Sequence, residues 1–137
     1  MKLNCDLGES FGAWTMPVDD EIMSIIDQAN VACGFHAGDP LVMKQALTLA
    51  KQHGVEIGAH PSYPDLQGFG RRSLAMASDE LVACVQYQVS ALLGMAEVVG
   101  AQVTYVKPHG ALYNDMMQNS SILRSVMEAV SGVSKNV

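Results

Sequence analysis

The 137-residue sequence is 49% hydrophobic and 16% charged, apolar enough for one compact domain and not disordered in composition. Its net charge of −6 and pI of about 5.0 argue against a nucleic-acid partner, because phosphate backbones call for clustered Lys and Arg. No uninterrupted apolar run approaches the ~20 residues of a membrane span, and polar groups break Met1-Lys2-Leu3-Asn4-Cys5-Asp6 before a signal-peptide core forms, so a cytoplasmic protein is expected.

In chain order, residues 2–7 alternate as a first strand, with Leu3, Cys5 and Leu7 on one face and Asn4 and Asp6 on the other. Asp19 and Asp20 then read as caps of a helix whose stripe is Ile22, Ile25, Ile26 and Ala29. A second strand over 29–33 ends at Gly34. Asp39-Pro40 predicts a helix start, with Asp as N-cap and Pro at the first helical position. Its stripe is Val42, Gln45-Ala46 and Leu49-Ala50, and Gly54 closes it. Residues 55–59 form the third strand, with His60 at its carboxyl end.

A turn-rich loop over 61–77 follows, of a length that is usually functional in a compact domain. Ser78 is the expected cap of the longest helix, with Asp79 and Glu80 in its first turn. Leu81, Val85, Val89, Leu92 and Ala96 line its buried side. Residues 103–106 are the fourth strand, ended by Lys107-Pro108-His109-Gly110, and a last helix begins near Ser120-Ser121 with Ile122, Leu123, Val126, Met127 and Val130. Fourfold βα alternation requires parallel strands joined by crossover helices. The class is α/β, part of a barrel or an open sheet, as a single domain over 1–137 without a linker.

Active sites in such folds form at the carboxyl ends of the strands. Those ends carry Asn4, Asp6 and Glu9, then His36 and Asp39, then His60, Tyr63 and Asp65, then Lys107, His109, Tyr113 and Asn114. Three histidines at equivalent positions, beside carboxylates and glycines, indicate a site rather than three separate structural groups. The fourth, His53, ends a helix and complements its dipole.

Two chemistries suit this set. In one, Asp6 with two histidines holds a divalent metal that activates water, and Glu9 or Asp39 moves protons. In the other, a carboxylate or His acts as general base while Lys107 and Arg71-Arg72 stabilise an oxyanion. The Arg pair reads equally as an anion clamp or a solvated surface pair. Phe69, Tyr63 and Tyr113 are candidate pocket walls. Trp14, Met16-Pro17 and Met116-Met117 read as packing or loop. Cys5, Cys33 and Cys84 have no C-x-x-C spacing and read as free thiols, Cys33 and Cys84 as buried small hydrophobes.

Asn4-Cys5-Asp6-Leu7-Gly8-Glu9, Ala29-Asn30-Val31-Ala32-Cys33-Gly34-Phe35-His36-Ala37-Gly38-Asp39, Ile57-Gly58-Ala59-His60-Pro61-Ser62-Tyr63-Pro64-Asp65 and Val106-Lys107-Pro108-His109-Gly110-Ala111-Leu112-Tyr113-Asn114 resemble the signature blocks of the LamB/YcsF family, the A-subunits of 5-oxoprolinase. The resemblance implies a (β/α) barrel of the glycoside hydrolase/deacetylase type, of which four βα units are present. It also implies ATP-dependent opening of 5-oxoproline to L-glutamate together with the 5-oxoprolinase subunits B and C. No Gly-x-x-x-x-Gly-Lys-Ser/Thr loop occurs, so partner subunits are expected to bind the ATP.

With the resemblance, the candidate catalytic groups are Asp6, Glu9, His36, Lys107 and His109. The candidate substrate contacts are Asn4, Asn30, Asp39, Tyr63, Arg71, Arg72, Tyr113 and Asn114, and the candidate metal ligands are Asp6, His60 and His109. A carbohydrate deacetylase or other metal-dependent amide hydrolase is the alternative, and an inactive partner-binding remnant a third. Family chains are longer, and residues 131–137 do not resemble a continuation into a fifth strand. Two open sheet edges are therefore expected, favouring self-association or an inactive chain.

Overall fold

A computed structural model describes residues 1–16 and 19–133. Pro17, the Asp19 side chain read as a cap, and residues 134–137 of the tail lie outside the described residues. Four strands, β1 (Asn4–Leu7), β2 (Gln28–Ala32), β3 (Glu56–His60) and β4 (Val103–Val106), form one sheet in the order β1-β2-β3-β4. All neighbours are parallel, and Asp6, Asn30 and Gly58 stand side by side in register. The helices are α1 (Asp19–Met23), α2 (Pro40–His53), α3 (Ser78–Val99), α4 (Gly110–Gln118) and α5 (Ser120–Val133).

The two sheet faces differ in chemistry because successive side chains point to opposite sides. Leu7, Ala29, Val31, Ile57 and Ala59 are buried together with Leu47 of α2 and Val85, Val89 and Leu92 of α3 in a single apolar core. Each fully buried Leu or Val there contributes about 1.5–3 kcal/mol over an exposed one. The other face bears Asn4, Asp6, Gln28, Asn30, Glu56 and Thr104, tied to one another by hydrogen bonds. Lys2 and Gln28 bond Glu56 and, with Thr104, hold its carboxyl down at about 2.

Asp39 caps α2 as expected, accepting from the N–H groups of Leu41 and Val42 at 2.9 Å each. The buried residues of that helix are Met43, Ala46, Leu47 and Ala50, one position off the predicted stripe, and Gln45 is exposed. The first helix is shorter than predicted. It ends at Met23, because the N–H groups of Asp27 and Gln28 are captured by the Leu3 carbonyl and pairing with β1 draws Ala29 into β2. Ile25 is left exposed.

Ser78 is the first residue of α3 rather than its cap. Ala77 holds the cap position, and Glu80 accepts from its N–H at 3.1 Å. α3 meets the length and composition of a membrane span, with a mean hydropathy of 1.4 over its most apolar stretch; here it packs against the sheet, α2 and α5. On α5, Val126 and Ala129 are buried while Leu123 and Met127 face outward. α4 has no counterpart among the predicted elements. It begins directly after His109 and carries Tyr113 and Asn114 away from the end of β4.

Candidate active site

The polar face of the sheet converges on Asp6. Asn30 donates from Nδ2 to Asn4 Oδ1 and to Asp6 Oδ1, both at 2.9 Å, and accepts from the Tyr105 hydroxyl at 2.7 Å. Gly58 stands between them because Tyr105's ring occupies the space a Cβ would take. Lys107 Nζ donates to Asp6 Oδ1 at 3.1 Å. The bond to His60, with help from Asn30 and Lys107 and against a burial cost, holds the Asp6 carboxyl far below the usual carboxylate range.

Above Asp6 stand His60 at the end of β3, His36 in the turn between β2 and α2, and His109 at the N-cap of α4. All three are buried. His60 donates from Nδ1 to the Lys107 carbonyl at 2.6 Å, and His109 donates from Nε2 to the Phe69 carbonyl at 2.8 Å. Carbonyls only accept, so both outer nitrogens carry hydrogen and the two inner nitrogens face each other. Those inner atoms, His60 Nε2 and His109 Nδ1, are 3.0 Å apart, and Asp6 Oδ2 lies 3.4 Å from His60 Nε2.

The loop over 61–77 makes this arrangement possible. Phe69 has φ +54°, uncommon for a side chain of its size, and this turns its carbonyl onto His109. Gly70 follows at φ +65°, where a Cβ would sit 2.8 Å from both His109 Cδ2 and His36 Cβ. His36 stacks on His109 with ring centroids 3.8 Å apart and planes 7° from parallel. Its Nε2 donates to Glu9 Oε1 and its Nδ1 meets Ser62 Oγ, each at 3.1 Å. Burial lowers the pKa of His36, and burial with His36's proximity lowers that of His109 to about 4.

Beyond Glu9 and His36 opens a cavity of about 800 Å³, bordered by Phe11, Trp14, Phe69 and Arg71. Trp14 is 79% exposed at its rim, contrary to the packing expected of it. The arginine pair divides. Arg72 grips the buried Asp65 carboxylate, and this ion pair lowers Asp65 to about 2. Arg71 lies over the Phe69 ring, its guanidinium carbon 5.4 Å from the ring centroid, and faces the cavity.

Several expected substrate contacts belong elsewhere in the fold. Asp39 is committed to α2 through Oδ1 and to the Gly12 N–H through Oδ2, so both of its oxygens are engaged by backbone. Tyr63 is fully buried on the far side of the loop and donates to Asp115 at 2.9 Å. Tyr113 and Asn114 are exposed on α4. Arg72 is a loop brace. Cys33 is buried and pushed up to about 12 by that burial, which removes it as a nucleophile. Cys84 is part-buried against Gln88. His53 bonds Asp20 at 3.2 Å, outside the cluster.

Three residues of the site carried no warning at a strand end. Ser62 and Gln88 are fully buried. Gln88 of α3 accepts from the Ser62 N–H at 2.9 Å and donates to the Ser62 carbonyl at 2.8 Å, fixing the hydroxyl that meets His36. Tyr105 is the third. A glutamine on the apolar stripe of a helix, between Val85 and Val89, was the available signal for Gln88, since a buried amide must find partners.

The LamB/YcsF family model matches residues 1–137. A protein of Vibrio cholerae serotype O1, named as the A-subunit of 5-oxoprolinase, is 62% identical over 131 residues, 96% of this chain and 53% of that protein. A Pseudomonas putida protein, likewise named as a 5-oxoprolinase A-subunit, is 58% identical, covering all of this chain and 53% of its own length. The crystal structure of a lactam utilization protein from Thermus thermophilus superposes with a TM-score of 0.93 at 45% identity, over 96% of this chain and 53% of that one. The chain thus spans about half the length of the curated relatives it matches, and its four parallel βα units are part of a TIM-like barrel. The chain belongs to the LamB/YcsF family.

Proposed function

We propose that this chain supplies the reacting groups of a cytoplasmic 5-oxoprolinase, as its A-subunit, opening 5-oxoproline to L-glutamate while partner subunits B and C bind and spend the ATP. The observation that carries this reading is the cavity in which Glu9, held by buried His36, shares a wall with Arg71 beneath an aromatic rim. 5-Oxoproline is a small flat lactam with one carboxylate. Arg71 suits that carboxylate, or the phosphoryl group of an ATP-activated ring, and Phe69 and Trp14 suit the ring faces.

In this mechanism Glu9 directs a water onto the lactam carbonyl carbon and takes its proton. Arg71, on the cavity wall it shares with Glu9, offsets the charge that develops on the lactam oxygen or on its phosphoryl group. As the carbon–nitrogen bond breaks, Glu9 returns the proton to the departing ring nitrogen, which becomes the amine of glutamate; the activating phosphoryl group stays on the former lactam oxygen as an acyl phosphate, and a second water releases it as inorganic phosphate. His36 positions the carboxylate, and Ser62, fully buried, positions His36 rather than attacking. A second reading, a metal-dependent amide hydrolase, is favoured by the proximity of Asp6, His60 and His109.

The test is release of glutamate from 5-oxoproline by this chain mixed with subunits B and C and Mg-ATP. Glu9→Gln is expected to lower turnover by about 100-fold or more, with binding retained. Turnover unaffected by Glu9→Gln, or no release at any ratio of the components, overturns the reading.

A further inference from the structure

We infer that Asp39 is a positioning residue: through Oδ2 it holds the hairpin over 11–14 in place as a fixed wall of the cavity beside Glu9. The part this wall plays in substrate binding rests on the lactam reading above; the anchoring itself does not. Phe11 and Trp14 exchange two backbone hydrogen bonds of 2.9 Å across Gly12 and Ala13. Gly12 has φ +56° at the first central position of this two-residue turn, where glycine is favoured. Its N–H has no partner within the turn and must find one outside it. Asp39 Oδ2 accepts it at 2.9 Å.

The hairpin needs this anchor because packing does little to fix it. Phe11, Trp14 and Met16 are 42%, 79% and 50% exposed, and a two-stranded hairpin is marginal by itself in water. Ser10 Oγ accepts from the Met16 N–H at 2.8 Å and ties the base of the loop, while Asp39 ties its tip. Gly38 lets the backbone before Asp39 lie against Gly8, where a Cβ would stand 2.7 Å from the Gly8 carbonyl oxygen. The N–H groups of Val42, Gly12 and Leu41 hold the Asp39 carboxyl below its usual range, so the anchor is charged at neutral pH.

This wall has a cavity on each side. Phe11 borders both the cavity of about 800 Å³ that holds Glu9 and Arg71 and an apolar one of about 640 Å³ lined by Phe35, Met43 and Tyr87. Released at its tip, the hairpin carries Phe11 and Trp14 away from a fixed distance to Glu9. Glu9 keeps its own tie to His36. The cavity then loses its set width for a small flat ring, while the carboxylate that moves the proton stays in place. The loss therefore falls on ligand affinity.

Asp39→Asn separates the two duties of the side chain. Its amide oxygen, drawn by two N–H groups, still caps α2, since Asn caps as well as Asp. The NH2 group left toward Gly12 cannot accept. Asp39→Ser, with one short oxygen for the cap, is the second variant. Both are expected to keep the helical circular dichroism of the parent chain. Time-resolved anisotropy of Trp14, the single tryptophan, should show a larger fast component in both, read without any ligand. Calorimetry with 5-oxoproline should give about tenfold weaker binding in both. Trp14 anisotropy unchanged in both variants overturns the anchor, and Trp14 freed at unchanged 5-oxoproline affinity overturns the wall's part in binding. Trp14 freed in variants of a chain that binds no 5-oxoproline supports the anchor and overturns the lactam reading instead.

Discussion

Gln88 links the apolar core to the histidine cluster through Ser62, and replacing it makes a quantitative test. In Gln88→Leu, helix α3 keeps its length and gains an apolar side chain, but the Ser62 N–H loses its partner at 2.9 Å and the Ser62 carbonyl exchanges its 2.8 Å bond for the weak Cys84 Sγ–H contact at 3.9 Å alone. Both groups are fully enclosed. Each stranded backbone group costs about 1–3 kcal/mol, and the added leucine offsets part of this by burial, leaving a net loss of about 2–4 kcal/mol. Urea unfolding followed by far-ultraviolet circular dichroism measures it directly as a lower midpoint at unchanged slope. Gln88→Glu sharpens the result. Its buried carboxyl keeps the acceptor and regains a donor only when protonated, so its pKa rises on folding; the variant is most stable at acid pH and loses stability as pH rises through that raised pKa. A loss below about 1 kcal/mol in Gln88→Leu refutes the reasoning, since it would mean Ser62 is satisfied some other way.

Three further outcomes are expected. Arg71→Ala should leave thermal unfolding unchanged while weakening binding of an anionic lactam, whereas Arg72→Ala should speed proteolysis within 61–77 with less effect on affinity; the reverse pattern would invert their roles. The Asp65–Arg72 pair depresses Asp65 to about 2, so its contribution is present above the ordinary carboxylate pKa of about 3.9 and is lost as pH falls through about 2, read by exchange of the Gly68 amide bonded to Asp65. Trp14 is the chain's single tryptophan and borders the cavity, so ligand entry should shift its emission, and Trp14→Phe should abolish the signal but not binding measured by calorimetry.

The sequence was most informative where one strong rule applied. Alternation in β1, the Asp39-Pro40 cap and the position of histidines at strand ends all follow from local chemistry, and His36, His60 and His109 meet as that placement implies. Tyr63, Asp39 and Arg72 misled because a polar side chain near a site has two ways to be satisfied, and nearby partners took them. α4 was missed because Lys107-Pro108-His109-Gly110 reads as a turn, whereas Gly110 at φ +55° is itself the first residue of a helix packed against the Gly70 backbone. Gln88 and Ser62 are joined across 26 residues, and no local pattern in either segment encodes the other.

The strand order β1-β2-β3-β4 matches the order of synthesis. A chain emerging from the ribosome can dock each strand on the one before it, without leaving a gap for a later segment to fill. Glu9 and His36 arrive with the first two strands, Ser62 and His60 with the third, and Gln88 only once α3 has crossed back over the sheet. His109 comes last, carried in by β4, and its docking on the Phe69 carbonyl closes the cluster. The histidine cluster is therefore complete only when the fourth strand has docked: without β4 and the turn that follows it, His60 has neither the Lys107 carbonyl nor His109 to face.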